Sequence, residues 1–149
     1  MITFRTITKK NYEDVANLDP GKENLKYILP TWMSMLSAHY ESNHLVMKAI
    51  YFKSKLIGFF LITSKIKPMY FECLIIDKKY QNQGLGGKCV KKILEYLNSN
   101  YRVDKIYAST SNPYAYKILK KYGFTKLKNK MADKFIQKNS QYLLVNYFI

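Results

Sequence analysis

Residues 72–97, ECLIIDKKYQNQGLGGKCVKKILEYL, decide the fold. The apolar run 71–76 reads as a buried strand, closed by Asp77. A glycine-rich turn follows: Gln81-Asn82-Gln83-Gly84-Leu85-Gly86-Gly87. Beyond it Leu85, Cys89, Ile93 and Leu97 recur every four residues, with Val90 and Leu94 beside them. Lys88, Lys91, Lys92 and Glu95 fall on the opposite side, so the spacing predicts an amphipathic helix. The first N–H groups of a helix have no internal acceptor, and the helix dipole makes that end partly positive. Removing Cβ lets an anion approach the backbone. A strand, three glycines and a helix therefore predict an anion site, with a pyrophosphate as its natural guest.

Two phosphate loops are excluded by spacing. A Walker loop needs Ser or Thr after Gly-Lys, and here Gly87-Lys88 precedes Cys89. A dinucleotide fingerprint needs a third glycine three residues after Gly86, where Cys89 stands. The pattern present is Gln81, two residues, Gly84, one residue, Gly86. It resembles the acetyl-CoA loop of the GNAT N-acetyltransferases. A second segment is similar to another motif of that family: Asn112-Pro113-Tyr114-Ala115, followed by Gly123-Phe124.

The rest of the chain predicts the order β-α-α-β-β-β-α-β-α-β-β. Residues 2–7 alternate as a strand, and Thr8 is placed to cap a helix over 9–18, ended by Asp19-Pro20-Gly21. Pro30 splits the next helical region into 24–28 and 31–41. Strands are expected over 44–52 and 56–66, joined by a short turn at Lys53-Ser54-Lys55. Gly58 marks a bulge or a close backbone approach. The central strand, 69–76, follows the turn at Lys67-Pro68. After the central helix come a strand over 105–110 and a helix through Lys121, capped by Ser111 or Asn112 and stopped by Gly123. Strands over 124–131 and 141–149, joined by a polar connection, close the chain. This order matches the α/β (α+β) GNAT fold: a mixed, twisted sheet of about seven strands, two central parallel strands splayed apart, and about four helices.

At 149 residues one domain spanning 1–149 is expected. An apolar content of 48% argues against disorder. No apolar run approaches a membrane span and the amino terminus does not read as a signal peptide. Cys73 and Cys89 sit at apolar positions and read as buried thiols, which fits the cytoplasm. The net charge of +15 raises nucleic acid as a partner, but the lysines are dispersed and none of the blocks reaches five. Nucleic acid and membrane are therefore not the expected partners, and no metal is expected.

The resemblance implies roles for particular residues. Leu74, Ile75 and Ile76 would pair with the pantetheine amides as an added strand would. Gln81, Asn82, Gln83, Gly84, Leu85, Gly86 and Gly87 would hold the pyrophosphate. Asn112 would contact the pantetheine arm, and a helix-cap role is equally open. The family often places a proton-donating tyrosine four residues after the alanine, where this chain has Leu119. Leu119 would then only line the cofactor, leaving Tyr116 and Tyr122 as the neighbouring phenols. Glu72, the only charged residue in its strand segment, is the candidate general base.

A weaker likeness concerns the acceptor. Residues 18–28, 34–38 and 71–77 look like the corresponding segments of bacterial spermine/spermidine acetyltransferases. A polyamine site needs carboxylates, and six of the ten acidic residues lie in the first half of the chain. Asp19, Glu23 and Glu41, with Trp32 in the same region, are the substrate-site candidates. A small amine is the leading acceptor. A protein amine, charged tRNA, or a CoA-binding module without turnover are the alternatives, and a homodimer is compatible with the final strand.

Overall fold

The computed structural model describes residues 1–41, 43–127 and 142–148. Its strands are β1 (Ile2–Thr6), β2 (His44–Phe52), β3 (Lys55–Thr63), β4 (Tyr70–Ile76), β5 (Lys105–Thr110), β6 (Thr125–Lys126) and β7 (Tyr142–Tyr147). The helices are α1 (Tyr12–Ala16), α2 (Thr31–Tyr40), α3 (Leu85–Asn100) and α4 (Pro113–Lys121). The seven strands form one sheet in the order β1-β2-β3-β4-β5-β7-β6. All neighbours are antiparallel except β4 and β5. This is the expected element order and the expected mixed sheet.

Alternation along the strands divides the core into two layers. On one face Phe60, Ile62 and Ile106 pack against Leu85, Cys89, Ile93 and Leu97 of α3 and Leu119 of α4. On the other, Ala49, Phe59, Leu61 and Ile75 meet Val15 and Ala38 of the first two helices. The four-residue spacing in α3 is thus a core stripe, and each large apolar side chain it buries contributes about 1.5–3 kcal/mol.

Two irregularities shape the centre of the sheet. Ile50 pairs with Gly58 and Tyr51 with Leu56, so Ile57 is an extra residue. A Cβ on Gly58 would lie 2.3 Å from the carbonyl oxygen of Ile75, so Gly58 serves both readings offered for it, bulge and close approach. Farther along, Leu61 pairs with Cys73 and Ile62 with Phe71, which leaves Glu72 as the extra residue of a second bulge.

Several boundaries differ from expectation. α1 begins at Tyr12, not Lys9, because Asn11 Oδ1 accepts the Thr8 N–H at 2.8 Å and closes a turn first. The short helix expected over 24–28 is a 3-10 turn at Asn24–Lys26. β3 stops at Thr63, where Thr63 Oγ1 accepts from Lys65 N–H and Ser64 turns back to Asn43. At the β2–β3 turn Lys53 and Ser54 both take positive φ, as a two-residue hairpin requires. Of the strand expected over 124–131, Thr125–Lys126 is observed. Residues 128–131 and the polar connection over 132–140 lie outside the described residues.

Candidate active site

β4 and β5 pair at only two rungs, Tyr70 with Tyr107 and Phe71 with Ala108. Beyond Phe71 the strands part, and the edge of β4 facing β5 loses its ladder partner. A cleft of about 750 Å³ opens in the gap. Leu74, Ile75 and Ile76 line its β4 wall; Ala108, Ser109 and Thr110 line its β5 wall. An unpaired strand edge inside a cleft is a place for an extended amide-bearing ligand to add as a strand.

The glycine-rich turn closes one end. Asp77 Oδ1 accepts the Lys79 N–H at 3.0 Å and its Oδ2 accepts the Asp19 N–H at 3.0 Å. Gln81 Nε2 donates to Ile76 O at 2.7 Å and to Pro20 O at 2.8 Å, tying the turn to the strand before it. Asn82 and Gly84 adopt left-handed backbone, φ 58° and 73°. Gly84 is the N-cap of α3 and supplies no side chain. The Lys88 N–H is the first to bond back, to Gly84 O at 3.4 Å, so the N–H groups of Leu85, Gly86 and Gly87 have no helical acceptor.

Those glycines are there for different reasons. Nothing stands within 4 Å of a Cβ at Gly84, where the positive φ sets the requirement. At Gly86 a Cβ would meet only Ile118 Cδ1, at 3.6 Å, and at Gly87 it would come within 3.2 Å of the Tyr122 ring. The open ground before these N–H groups fits an anionic group such as a pyrophosphate.

The other end is polar and half-buried. Glu72 sits at the bulge, where Thr63 Oγ1 donates to its Oε2 at 3.3 Å and Lys65 Nζ lies 4.0 Å from its Oε1. Burial pushes the Glu72 carboxyl above the ordinary glutamate range, against the opposing pull of Lys65 and Thr63; the charge of Glu41 adds to the rise. The Tyr70 hydroxyl is hydrogen-bonded to the Ser109 hydroxyl across the two strands. Burial pushes the Tyr70 phenol up, the Cys73 thiol up to about 12 and the Cys89 thiol up to about 12.

The cleft gathers most of the cofactor candidates. Besides the β4 wall, Gln81, Asn82, Gly84, Gly86, Gly87, Asn112 and Leu119 line it. The side chains of Gln83 and Leu85 do not: Gln83 Nε2 turns back to Lys79 O at 3.1 Å, and the Leu85 side chain is buried in the core, leaving only its N–H at the turn. Asn112 Oδ1 caps α4 by accepting the Tyr114 N–H at 3.0 Å. Of the catalytic candidates Glu72 and Tyr122 line the cleft; Tyr116 instead packs against the core. Tyr122 stands at Gly87, the opposite end from Glu72.

The substrate candidates are dispersed. Glu23 lines the cleft and pairs with Lys26 at 2.8 Å, whose hydrogen bond lowers its pKa. Asp19 pairs with Lys78 at 2.7 Å and is lowered chiefly by that bond. Trp32 is exposed on α2, and Glu41 accepts from Ser37 Oγ at 3.0 Å. Sequence reasoning missed Asn24, which donates to Gln81 Oε1 and accepts from Asn112 Nδ2, both at 3.3 Å. It also missed Ser109 and Tyr27, both on the cleft wall. Among the described residues no group of three metal-ligating side chains is placed to hold an ion, and no helix is long and apolar enough to cross a membrane.

Comparison with known proteins agrees with this geometry. The acetyltransferase (GNAT) domain family matches residues 9–138. The spermine/spermidine N(1)-acetyltransferase of Bacillus subtilis strain 168 is 25% identical over 133 residues, covering 83% of this chain and 87% of that protein. The crystal structure of spermidine N-acetyltransferase from Vibrio cholerae, in complex with CoA and spermine, superposes with a TM-score of 0.73 at 17% identity. It covers 98% of this chain and 95% of that one. A GNAT acetyltransferase from Elizabethkingia anophelis with acetyl-CoA bound gives 0.64 at 20% identity, covering 99% and 97%.

Proposed function

The chain belongs to the GNAT acetyltransferase family, and from that premise we propose that it acts as a single domain to acetylate a primary amine of a polyamine such as spermidine or spermine. Acetyl-CoA is the donor, as the CoA-bound relatives indicate. The donor supplies an acyl carbon open to attack and a thiolate able to leave.

The chain's own residues divide the remaining work. The N–H groups of Leu85, Gly86 and Gly87 hold the pyrophosphate at the positive end of α3. The free edge of β4 orders the pantetheine amides. Four strand steps separate Ile76 from Glu72, about 13 Å. The reacting end of the donor thus comes near Glu72. Glu72 takes the proton from the attacking amine, and its raised pKa brings it closer to neutral pH, where a base that must also release the proton works best.

One observation carries the polyamine reading. In a chain of net charge +15, residues 27–47 contain no Lys and no Arg. Tyr27 and Ile28 from this stretch line the cleft, and Glu41 lies close enough to bias Glu72. Exposed Tyr27, Trp32 and Tyr40 add aromatic faces. A flexible polycation meets aromatic rings and carboxylates there, with little of the repulsion found elsewhere on the surface. The likeness to the Bacillus enzyme supports the same acceptor.

The test is mass spectrometry of products from acetyl-CoA with spermidine, spermine, a peptide amine and charged tRNA offered separately. Acetylated spermidine or spermine as the preferred product supports the proposal. Turnover confined to the peptide or the tRNA would transfer the reading to a macromolecular acceptor.

A further inference from the structure

We propose that Ser109, its hydroxyl oriented by Tyr70, gives the hydrogen bond that stabilises the departing sulfur of the acetyl donor. The inference rests on the acetyl-transfer reading above and names a residue for a task that Leu119 cannot perform.

Phe71 pairs with Ala108, so Glu72 and Ser109 are the first residues beyond the split on either side. Both line the cleft at its inner end. Leu119 packs with Phe71 and Ala108 in one apolar cluster and brings no donor from the helical side. Tyr122, against Gly87, is at the far end.

The orientation of Ser109 follows from its partner. Tyr70 is only 3% exposed, and its hydroxyl is bonded to Ser109 Oγ. A buried phenol keeps its proton and places it on an available acceptor. Either hydroxyl can be the donor in this pair, and we take Tyr70 as the donor because a phenol is the stronger acid of the two. Ser109 Oγ then accepts from Tyr70 and has its own hydrogen left to give into the cleft.

The chemistry balances without ionising either hydroxyl. The amine nitrogen forms its bond to the acyl carbon, the carbon–sulfur bond breaks, and its electron pair goes to sulfur. The nitrogen's proton passes to Glu72 and then to solvent, and the thiolate takes a proton from solvent on release. Serine is far too weak an acid to protonate a thiolate, so Ser109 keeps its proton and contributes a charge-assisted hydrogen bond. Such a bond to a charged group corresponds to about a tenfold to hundredfold effect.

The test titrates the thiol of bound CoA through thiolate absorbance, with the desulfo-CoA complex as the blank. In the wild type the bound thiol should titrate lower than free CoA. Ser109→Ala should shift the thiol–thiolate ratio by about tenfold toward the thiol, with unchanged affinity for desulfo-CoA. Ser109→Thr should restore the wild-type titration, and Tyr70→Phe should give an intermediate one. In turnover, Ser109→Ala should lower kcat about tenfold or more and leave the KM for acetyl-CoA nearly unchanged. An unaltered thiol titration in Ser109→Ala, or loss of desulfo-CoA binding along with it, would overturn the proposal and leave the acetyl-transfer reading standing. Failure of the wild type to bind CoA would instead remove that reading, and this one with it.

Discussion

Asn112 Nδ2 donates to Asn24 Oδ1 at 3.3 Å, joining the start of α4 to the turn after α1 over a separation of 88 residues. Asn24 lines the cleft between β4 and β5 and also reaches Gln81, so one amide links two segments that flank that cleft. The two roles open to Asn112 can therefore be separated. Asn112→Ala removes both the cap and the bridge, and should cost about 0.5–2 kcal/mol of stability together with acetyl-CoA affinity. Asn112→Asp keeps a capping oxygen and loses the amide donor. Its melting temperature should stay near wild type while the acetyl-CoA Kd rises several-fold. Equal Kd values for Asn112→Asp and the wild type would reduce Asn112 to a cap.

Two glycines distinguish fold from site. Gly58→Ala places Cβ 2.3 Å from a backbone oxygen, which no side-chain movement relieves. It should destabilise by about 1–3 kcal/mol or more, seen as a lower urea midpoint. At Gly86 the first added carbon meets only one flexible side-chain tip, at 3.6 Å. Gly86→Val should therefore stay folded and lose acetyl-CoA affinity first, by calorimetry. Full affinity in Gly86→Val would contradict the pyrophosphate assignment.

Glu72 ties stability to pH and, in the proposed reaction, activity as well. Burial raises its pKa in the fold above the unfolded value. Between those two values the folded state binds more protons, so the contribution of Glu72 to stability falls as pH rises through that window. Glu72→Gln has no such titration. Its melting temperature relative to wild type should therefore climb from about pH 4 upward and then level off. In turnover the same substitution should lower kcat far more than acetyl-CoA affinity. It should also remove the acidic limb of the kcat/KM profile. Equal losses of kcat and affinity would exclude Glu72 as the base.

Cys73 and Cys89 are buried, with thiols pushed up to about 12. Native protein should react with neither at neutral pH in a thiol-reagent assay, and denatured protein should react at both. Rapid labelling of the native chain would contradict their burial. Their inertness also keeps the background low when released CoA is measured with such a reagent.

The parts legible in the sequence are those set by local periodicity and by short motifs. The four-residue spacing from Leu85 to Leu97 defined α3, and Gly84, Gly86 and Gly87 marked its N-terminal end. Asn112-Pro113 likewise located the start of α4. What escaped depends on contacts between distant segments. The bulge at Glu72 exists only in the register of β4 against β3, and the pairing of Tyr70 with Ser109 only where β4 and β5 meet. Asn24 read only as the first residue of a short helix, and the fold brings Asn112 and Gln81 to it. Glu23 and Asp19 looked free for a cation, whereas Lys26 and Lys78 already neutralise them.

The proposed reaction is acetyl transfer to a polyamine with Glu72 as the base. Its most direct test is acetyl-CoA-dependent thiol release with spermidine, run on the wild type and Glu72→Gln against amine-free blanks. The account predicts release well above the blank in the wild type and near-blank release in a Glu72→Gln variant that still binds acetyl-CoA. Release at the blank level in the wild type would contradict the polyamine acceptor, and undiminished release in Glu72→Gln would contradict the base.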